Sequence, residues 1–279
     1  MEASKLVISI QSQVVYGHVG NSAAVFPMQA VGLEVAPIPT VLLSNTPNHP
    51  TIRGGALAPD LFAALLQGAQ ERGLPARASY IVTGYIGSLE VALQTADFIA
   101  AAKAENPDLI YLCDPVMGDS GPGLYVPEAI ADVMRERLLP MADLATPNQF
   151  ELAYLGGAPI RELADFSGIE ARLGLKADAR LICTGCILKE TPADQIESLI
   201  VDQGAITRHC APLLPFAKSG TGDLFTGLVI AGLGRGKSLS EAVIYAQKLT
   251  GQAMSDAAQG ESKEVLLSAK SFREALLLN

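Results

Sequence analysis

The chain has 279 residues, 49% hydrophobic and only 18% charged, which is enough apolar material for a large core and excludes a disordered chain. Its formal net charge of −9 argues against a nucleic-acid binder, since phosphate contacts need Lys and Arg; ATP needs only a local electropositive spot plus metal and stays open. There is no tryptophan and little aromatic content for a base-stacking surface, and no apolar run reaches the roughly 18 residues of a membrane helix.

In chain order, Lys5 to Ile10 reads as a near-continuous apolar strand, of the kind found in a parallel sheet covered on both faces. A loop from Gln11 to Gly20 and a helix from about Asn21 to Leu33 follow. Val35 to Leu43 is a second strand, and Pro37 and Pro39 make it an edge or kinked one. Ser44 to Gly55 reads as a loop and Pro59 to Glu71 as a helix with proline in its first turn. Tyr80 to Thr83 is a strand, and Ser88 caps a helix reaching Ala104. Leu109 to Cys113 is the next strand; it ends in a Gly-rich loop, Asp114 to Gly123, before a helix from Pro127 to Arg137. Leu144-Ala145 leads into Thr146-Pro147-Asn148 and a helix through Tyr154. A further helix starts at Ile160 or Asp165 and ends at Leu173, and Arg180 to Thr184 is a strand. Ile196 to Val201 and Ala205 to Cys210 form a hairpin, two helices cover Asp223 to Leu233 and Leu239 to Gln259, and the tail Val265 to Leu278 holds a short strand and a helical turn.

This alternation predicts an α/β fold: a doubly wound, mostly parallel central sheet with helices on both faces. No repeat, linker or low-complexity segment interrupts it, so a single domain over residues 1–279 is expected. The opening Met1-Glu2-Ala3-Ser4 resembles no signal peptide, and a reducing cytoplasm is the expected compartment. Cys183 and Cys186 form a CxxC, but no second pair stands at zinc spacing, so buried small hydrophobes are the expectation. His18, His49 and His209 include no pair at metal-ligand spacing, and His209, in the hairpin, reads as structural.

Ligands of such sheets gather at the carboxyl ends of strands, and the polar clusters fall there. Ser12, with Gln11 and Gln13 beside it, follows the first strand; Asp114 and Asp119 follow the fourth; Thr146, Asn148 and Glu151 follow the fifth; Thr184-Gly185 follows the sixth. Asp114 and Asp119 suit a water-mediated magnesium site. Asn148 and Glu151 fit both a site on one side of a first helical turn and a capping box. Lys218 is a candidate phosphate contact, and the loop Gly118 to Tyr125 could close over the site. The most informative segment is Ser219-Gly220-Thr221-Gly222-Asp223: a Gly turn running into a helix N-terminus, where free N–H groups and the positive dipole end suit a phosphate. Asp223 stands at its mouth, placed to take a proton from whatever attacks that phosphate. The reading is phosphoryl transfer without a Walker loop.

The segments Ser12 to Asn21, Leu43 to Thr46, Thr83-Gly84-Tyr85, Cys113 to Asp119, Tyr125-Val126-Pro127, Thr146 to Glu151 and Gly220 to Asp223 resemble the pyridoxal kinases of the ribokinase-like superfamily, over almost the whole chain. The resemblance implies ATP-dependent phosphorylation of the 5'-hydroxymethyl of pyridoxal, and of pyridoxine and pyridoxamine as further candidates. It implies Asp223 as catalytic base, and Ser12, Val19, Thr46, His49 and Tyr85 around the vitamer ring. It places Asp114, Asn148, Glu151, Thr184, Lys218, Gly220, Thr221 and Gly222 on ATP, and Asp114, Asp119 and Glu151 toward magnesium. A monovalent cation such as potassium and a homodimer are further family features. The apolar stretch Ala23 to Leu33 and the strand after it with Pro37 and Pro39 are the expected dimer face. After Ser44-Asn45 the chain reads Thr46-Pro47-Asn48-His49 where many relatives have His-Thr-x-Tyr, which leaves open the side chain that meets the ring. A hydroxymethylpyrimidine kinase is the nearest alternative, though those enzymes usually carry cysteine where Asp223 stands. A non-catalytic pyridoxal-phosphate carrier is the third.

Overall fold

The structure, a computed structural model, describes residues 4–278, so the opening Met1-Glu2-Ala3 lies outside them. The first strand does not stop at Ile10. β1 (Leu6–Tyr16) runs on through Gln11 and Ser12, where a loop is expected. After α1 (Asn21–Ala30), β2 (Glu34–Asn45) pairs parallel with β1 as far as Tyr16 against Asn45, with an irregularity between Gln11 and Gln13. That long pairing supplies hydrogen bonds that the polar residues from Gln11 onward do not announce. β3 (Gly54–Ala56), inside the expected loop, covers only Val41 to Leu43 of β2. Pro37 and Pro39 thus face a free edge, where a missing N–H costs no ladder bond.

α2 (Pro59–Glu71) and the short α3 (Leu74–Arg77) lead to β4 (Ala78–Thr83). α4 (Leu89–Glu105) is capped by Ser88, whose side chain accepts from the Val91 N–H. Beyond β5 (Ile110–Cys113), the Gly-rich loop folds into a small hairpin, β6 (Gly118–Asp119) and β7 (Gly123–Leu124). α5 (Glu128–Val133) continues as a π-helical turn, Met134–Leu138, and β8 (Leu144–Ala145) precedes α6 (Gln149–Gly156). The helix expected up to Leu173 is broken into a 3-10 turn, Leu163–Phe166, and α7 (Ile169–Arg172), because Gly168 between them turns left-handed. β9 (Arg180–Cys186), β10 (Gln195–Asp202) and β11 (Ala205–Pro212) are followed by α8 (Thr221–Gly234), α9 (Leu239–Gln259) and α10 (Lys270–Leu278). In place of the tail's expected strand there is one bridge, Ser219 to Glu264.

The sheet order is β11-β10-β9-β8-β5-β4-β1-β2-β3, parallel from β9 to β2 and antiparallel at both margins. Alternate strand residues feed two cores. Ile8, Ile81, Tyr111 and Leu181 pack with Phe62, Phe98 and Ile130 on one face. Val7, Val82, Leu112, Leu144 and Ile182 pack with Ala24, Leu228 and Leu249 on the other. Two residues on from Val82, Leu112, Leu144 and Ile182 come Gly84, Asp114, Thr146 and Thr184. The two-residue period puts these on the α8 side just where the strands end. The site is therefore a continuation of the second core in which polar residues replace apolar ones.

At the opposite ends of the strands, Asp143 binds three elements together. Its carboxylate accepts from the Tyr111 N–H at 2.6 Å, from Lys103 Nζ at 2.6 Å and from Lys176. Burial opposes its charge, but the bonds from Lys103, Lys176 and Tyr111 outweigh burial and hold the carboxyl below its usual pKa. Such stabilisation is complete above the ordinary Asp value near 4 and is lost as pH falls through the depressed one. Asp143→Ala should lower the unfolding free energy by about 2 kcal/mol at pH 7, the scale for hydrogen bonds to a charged group. In urea titrations the gap should close as pH drops toward 3; a pH-independent gap would contradict this account.

Candidate active site

The turn before α8 is built by backbone geometry. Gly220 caps the helix in the left-handed region at φ 80°, and a Cβ there would sit 1.9 Å from the His18 carbonyl oxygen. Only glycine fits both demands. The same segment is tied to the tail: Ser219 N–H donates to Lys263 O at 3.2 Å and Val265 N–H to Ser219 O at 3.0 Å. Glu264, buried, accepts from the His18 N–H at 3.1 Å. Asn48 joins it, donating to Ser219 Oγ at 2.5 Å and to Lys263 O at 3.3 Å. Three stretches far apart in sequence thus hold the N-terminus of α8 in place.

Asp223 lies on the first turn of α8. Its Oδ1 is buried and has no hydrogen-bond partner among the described residues. Burial raises its pKa, opposed by the backbone N–H of Gly20. Asp114 Oδ2 accepts from Thr226 Oγ1 at 2.8 Å, and Thr226 and Thr146 hydroxyls lie 3.2 Å apart. The Asp114 carboxyl is pushed well above the usual range by burial, then by the charges of Glu151 and Asp223.

Glu151 is both capping residue and site residue. Asn148 Oδ1 accepts from its N–H at 2.9 Å, and Glu151 Oε2 accepts in return from the Asn148 N–H at 2.9 Å. Its Oε1 accepts from Met117 N–H at 2.9 Å and Gly118 N–H at 3.4 Å, while Asn148 Nδ2 donates to Gly118 O at 2.9 Å. The capping box therefore also pins the loop after β5. Burial lifts Glu151 to about 7 against those three backbone donors.

Around Ser12, which is buried, the loop Gly17 to Gly20 folds so closely that a Cβ on Gly20 would meet Ser12 Oγ at 2.2 Å. Thr46 is buried with Oγ1 unpartnered among the described residues. His49 packs on Tyr16, with ring centroids 5.6 Å apart, and Tyr85 on Tyr125 at 6.4 Å. Val19 is half-buried on the Gly17–Gly20 loop. On the far side of α8 a cavity of about 1090 Å³ is lined by Asp119, Asn148, Thr184, Lys218, Thr221 and Gly222 among others. Nothing within 4 Å would meet a Cβ on Gly222, so the helix start opens directly into it.

Two of the candidates that line the cavity also have partners of their own. Lys218 Nζ donates to Ser262 O and stands 5.5 Å over the Phe216 ring. Asp119 is exposed, and its Oδ1 accepts from Ser120 N–H at 2.6 Å and Ser120 Oγ at 3.1 Å. Cys183 and Cys186 are buried free thiols 2.8 Å apart, flanking Thr184 and Gly185 of β9, which line the cavity. His209 Nε2 lies 3.0 Å from Ser240 Oγ, inside the hairpin's packing. Thr226 and Glu264 adjoin these residues although their sequence contexts do not single them out, whereas Asn48 and Tyr125 lie in the Thr46–His49 and Gly118–Tyr125 segments that the sequence marks. Tyr125 is 46% exposed, yet partial burial and then the charges of Glu151, Asp223, Asp114 and Asp119 raise its pKa.

No group of three or more His, Cys, Asp or Glu side chains able to hold a metal occurs among the described residues. Yet Asp114 and Glu151 are buried carboxylates, and each is held above its normal pKa. That donor set fits a magnesium ion coordinated mainly by phosphates and waters, with the two carboxylates behind it.

The match to known proteins follows the same outline. The phosphomethylpyrimidine kinase family model matches residues 76–267. A pyridoxine/pyridoxal/pyridoxamine kinase of Bordetella avium is 38% identical over 271 residues, covering 96% of this chain and 91% of that protein. Pyridoxal kinase PdxY of Leifsonia xyli is 40% identical over 226 residues, 81% of this chain and 80% of that one. The structure of Leishmania donovani pyridoxal kinase in complex with ADP and pyridoxamine superposes with a TM-score of 0.85 at 30% identity, covering 98% of this chain and 96% of that one. The chain belongs to the phosphomethylpyrimidine kinase family and, within it, to the pyridoxal kinases.

Between the ordinary carboxylate pKa near 4 and its raised value, Asp114 keeps a proton in the folded protein that the unfolded chain has released. Stability of the ligand-free protein therefore falls as pH climbs through that interval. Asp114→Asn retains an oxygen for Thr226 and removes the charge. It should raise the melting temperature at pH 8 by about 2–4 °C or more, with little difference at pH 4, while turnover falls. An unchanged or lower melting temperature at pH 8 would contradict the charge crowding.

Proposed function

We propose that the chain transfers the γ-phosphoryl group of ATP to the 5'-hydroxymethyl group of pyridoxal, giving pyridoxal 5'-phosphate, and that the whole chain acts as one kinase domain. The observation that carries the reading is Asp223: a half-buried carboxylate whose buried Oδ1 is unpartnered among the described residues, on the first turn of a helix whose start opens into a large cavity. The vitamer would sit on the Ser12, Val19, Thr46, His49 and Tyr85 side. ATP would occupy the cavity on the Asn148, Thr184 and Thr221 side.

In this reading Asp223 accepts the proton of the attacking hydroxyl, and its raised pKa strengthens it as a base. The free N–H groups of Thr221 and Gly222 face the charge that grows on the transferring phosphoryl. Magnesium, when bound, would neutralise the phosphates, with Asp114 and Glu151 holding its waters and Asp119 at the loop edge; a monovalent cation such as potassium fits the same anionic surroundings. Glu151, already bonded to the Met117 and Gly118 amides, holds the loop that carries Tyr125 over the site and helps exclude water.

We further propose a homodimer, on a face other than Ala23 to Leu33. Ala23, Ala24, Met28 and Leu33 are buried in the core under α8. Large apolar side chains exposed instead are Val15 (81%), Tyr16 (66%) and Leu42 (49%), on the adjacent strands β1 and β2. Sedimentation at low micromolar concentration should give twice the 29.2 kDa chain mass; a monomer would remove the dimer and leave the kinase reading intact.

Purified protein with ATP and pyridoxal, pyridoxine, pyridoxamine or a pyrimidine alcohol tests the activity. Pyridoxal turnover followed by pyridoxal-phosphate absorbance is the expected result, and background rates with every vitamer would sink it. Asp223→Asn should cut turnover at least about 100-fold with vitamer affinity nearly intact, since loss of a general base costs about 10²–10⁴-fold. A loss under tenfold in a folded variant would refute that role.

A further inference from the structure

We propose that Gln247 and Thr250 of α9 read the base of the nucleotide, selecting a 6-aminopurine over a 6-oxopurine. The proposal rests on the cavity beside α8 being the nucleotide site. Gln247, Thr250, Gly251 and Met254 all line that cavity. Their spacing of three, four and seven residues makes one stripe along the helix. The apolar Leu213 and Leu214 line the same cavity.

The hydrogen-bonding state of the two polar residues is fixed by their surroundings. Gln247 Nε2 donates to His209 O at 3.1 Å and to Ile196 O at 3.5 Å, which uses both amide hydrogens. Oε1 is thereby left as the group available to a ligand, and it can only accept. Thr250 is 5% exposed, and its Oγ1 is buried with no partner among the described residues. A helical threonine commonly returns its hydroxyl to the carbonyl four residues back. This one does not, and a buried unpaired hydroxyl is costly until something fills it.

An acceptor and a free hydroxyl, three residues apart on one helical face, match the edge of adenine. The 6-amino group donates to Gln247 Oε1, and the Thr250 hydroxyl donates to the ring nitrogen beside that amino group. With a 6-oxopurine an oxygen faces Gln247 Oε1, and two acceptors are left opposed. Discrimination by an unpaired buried polar group is strong, whereas mere shape discriminates weakly.

The test is calorimetric titration of the wild-type protein, Thr250→Val and Thr250→Ser with ADP and with IDP. Steady-state vitamer phosphorylation with ATP and with ITP runs alongside. ADP should bind the wild type at least about tenfold tighter than IDP. Thr250→Val should lose roughly threefold to tenfold in ADP affinity, the worth of one neutral hydrogen bond, and Thr250→Ser should recover most of it. The KM for ATP should follow ADP affinity, and the KM for the vitamer should not. IDP binding as tight as ADP, or ADP affinity unaltered in a folded Thr250→Val, overturns the proposal. The wild-type comparison decides even where a variant fails to fold. Base preference in titration with no vitamer turnover would count against the kinase reading and uphold this one.

Discussion

Three carboxylates share the buried ground where the parallel strands end, and among the described residues no Lys or Arg side chain is paired with any of them. Burial alone pushes each toward its protonated form, and Glu151 and Asp223 together push Asp114 further. A protein selected for stability alone would not keep this arrangement. It becomes favourable once positive charge arrives and once a hydroxyl needs somewhere to leave its proton. Much of the surrounding architecture can be understood as what holds these groups in place before that happens. The capping box fixes Glu151, the Thr226 hydroxyl fixes Asp114, and the Gly220 turn fixes Asp223.

The layered fold was legible in the sequence because apolar runs near Ile8, Ile81 and Leu112 alternate with helical segments. The strand period alone then assigns each side chain to one of two cores. What could not be read was how far a strand runs once its residues turn polar. Gln11, Ser12 and Gln13 look like a loop, yet β2 pairs with Gln11 and Gln13 on either side of an irregularity at Ser12 and on to Tyr16. Their polarity comes from the site rather than from solvent: Gln11 Nε2 donates to Ser9 Oγ, which donates to Asn21, inside the second core. The break before α7 and the π-helical turn after α5 were equally hidden, since local propensity there supports a simple helix.

Of the site, the parts carried by short-range rules were visible. A Gly turn running into a helix, and an Asn followed three residues later by Glu, are local patterns with local causes. The parts carried by contact between distant segments were not. Glu264 reads as one acidic residue in a polar tail, and only the fold brings it to the His18 amide 246 residues away. Thr226 reads as an ordinary helix residue until Asp114 is found opposite. Lys218 shows the converse: it is placed in sequence like a phosphate ligand, but its ammonium is taken up by a tail carbonyl.

That tail changes how the site holds together. The segment Ser262 to Val265 touches Lys218, Ser219, His18 and Asn48, so it bonds to the Gly17–Gly20 and Thr46–His49 loops and to the turn that starts α8. A shift of the α8 N-terminus toward the cavity would pull on the Gly17–Gly20 loop, because Ser219 is bonded to Lys263 and Val265 of the tail and Glu264 of the tail to the His18 N–H. The hairpin wall of the cavity is held differently, by Arg208 against the buried Glu197 and by Gln247 against the strand carbonyls. The two sides meet at α8 and are also joined through the continuous central sheet. Asp223, on the first turn of α8, is bonded to the Gly20 N–H, so its carboxylate is oriented from the Gly17–Gly20 loop rather than from the hairpin wall.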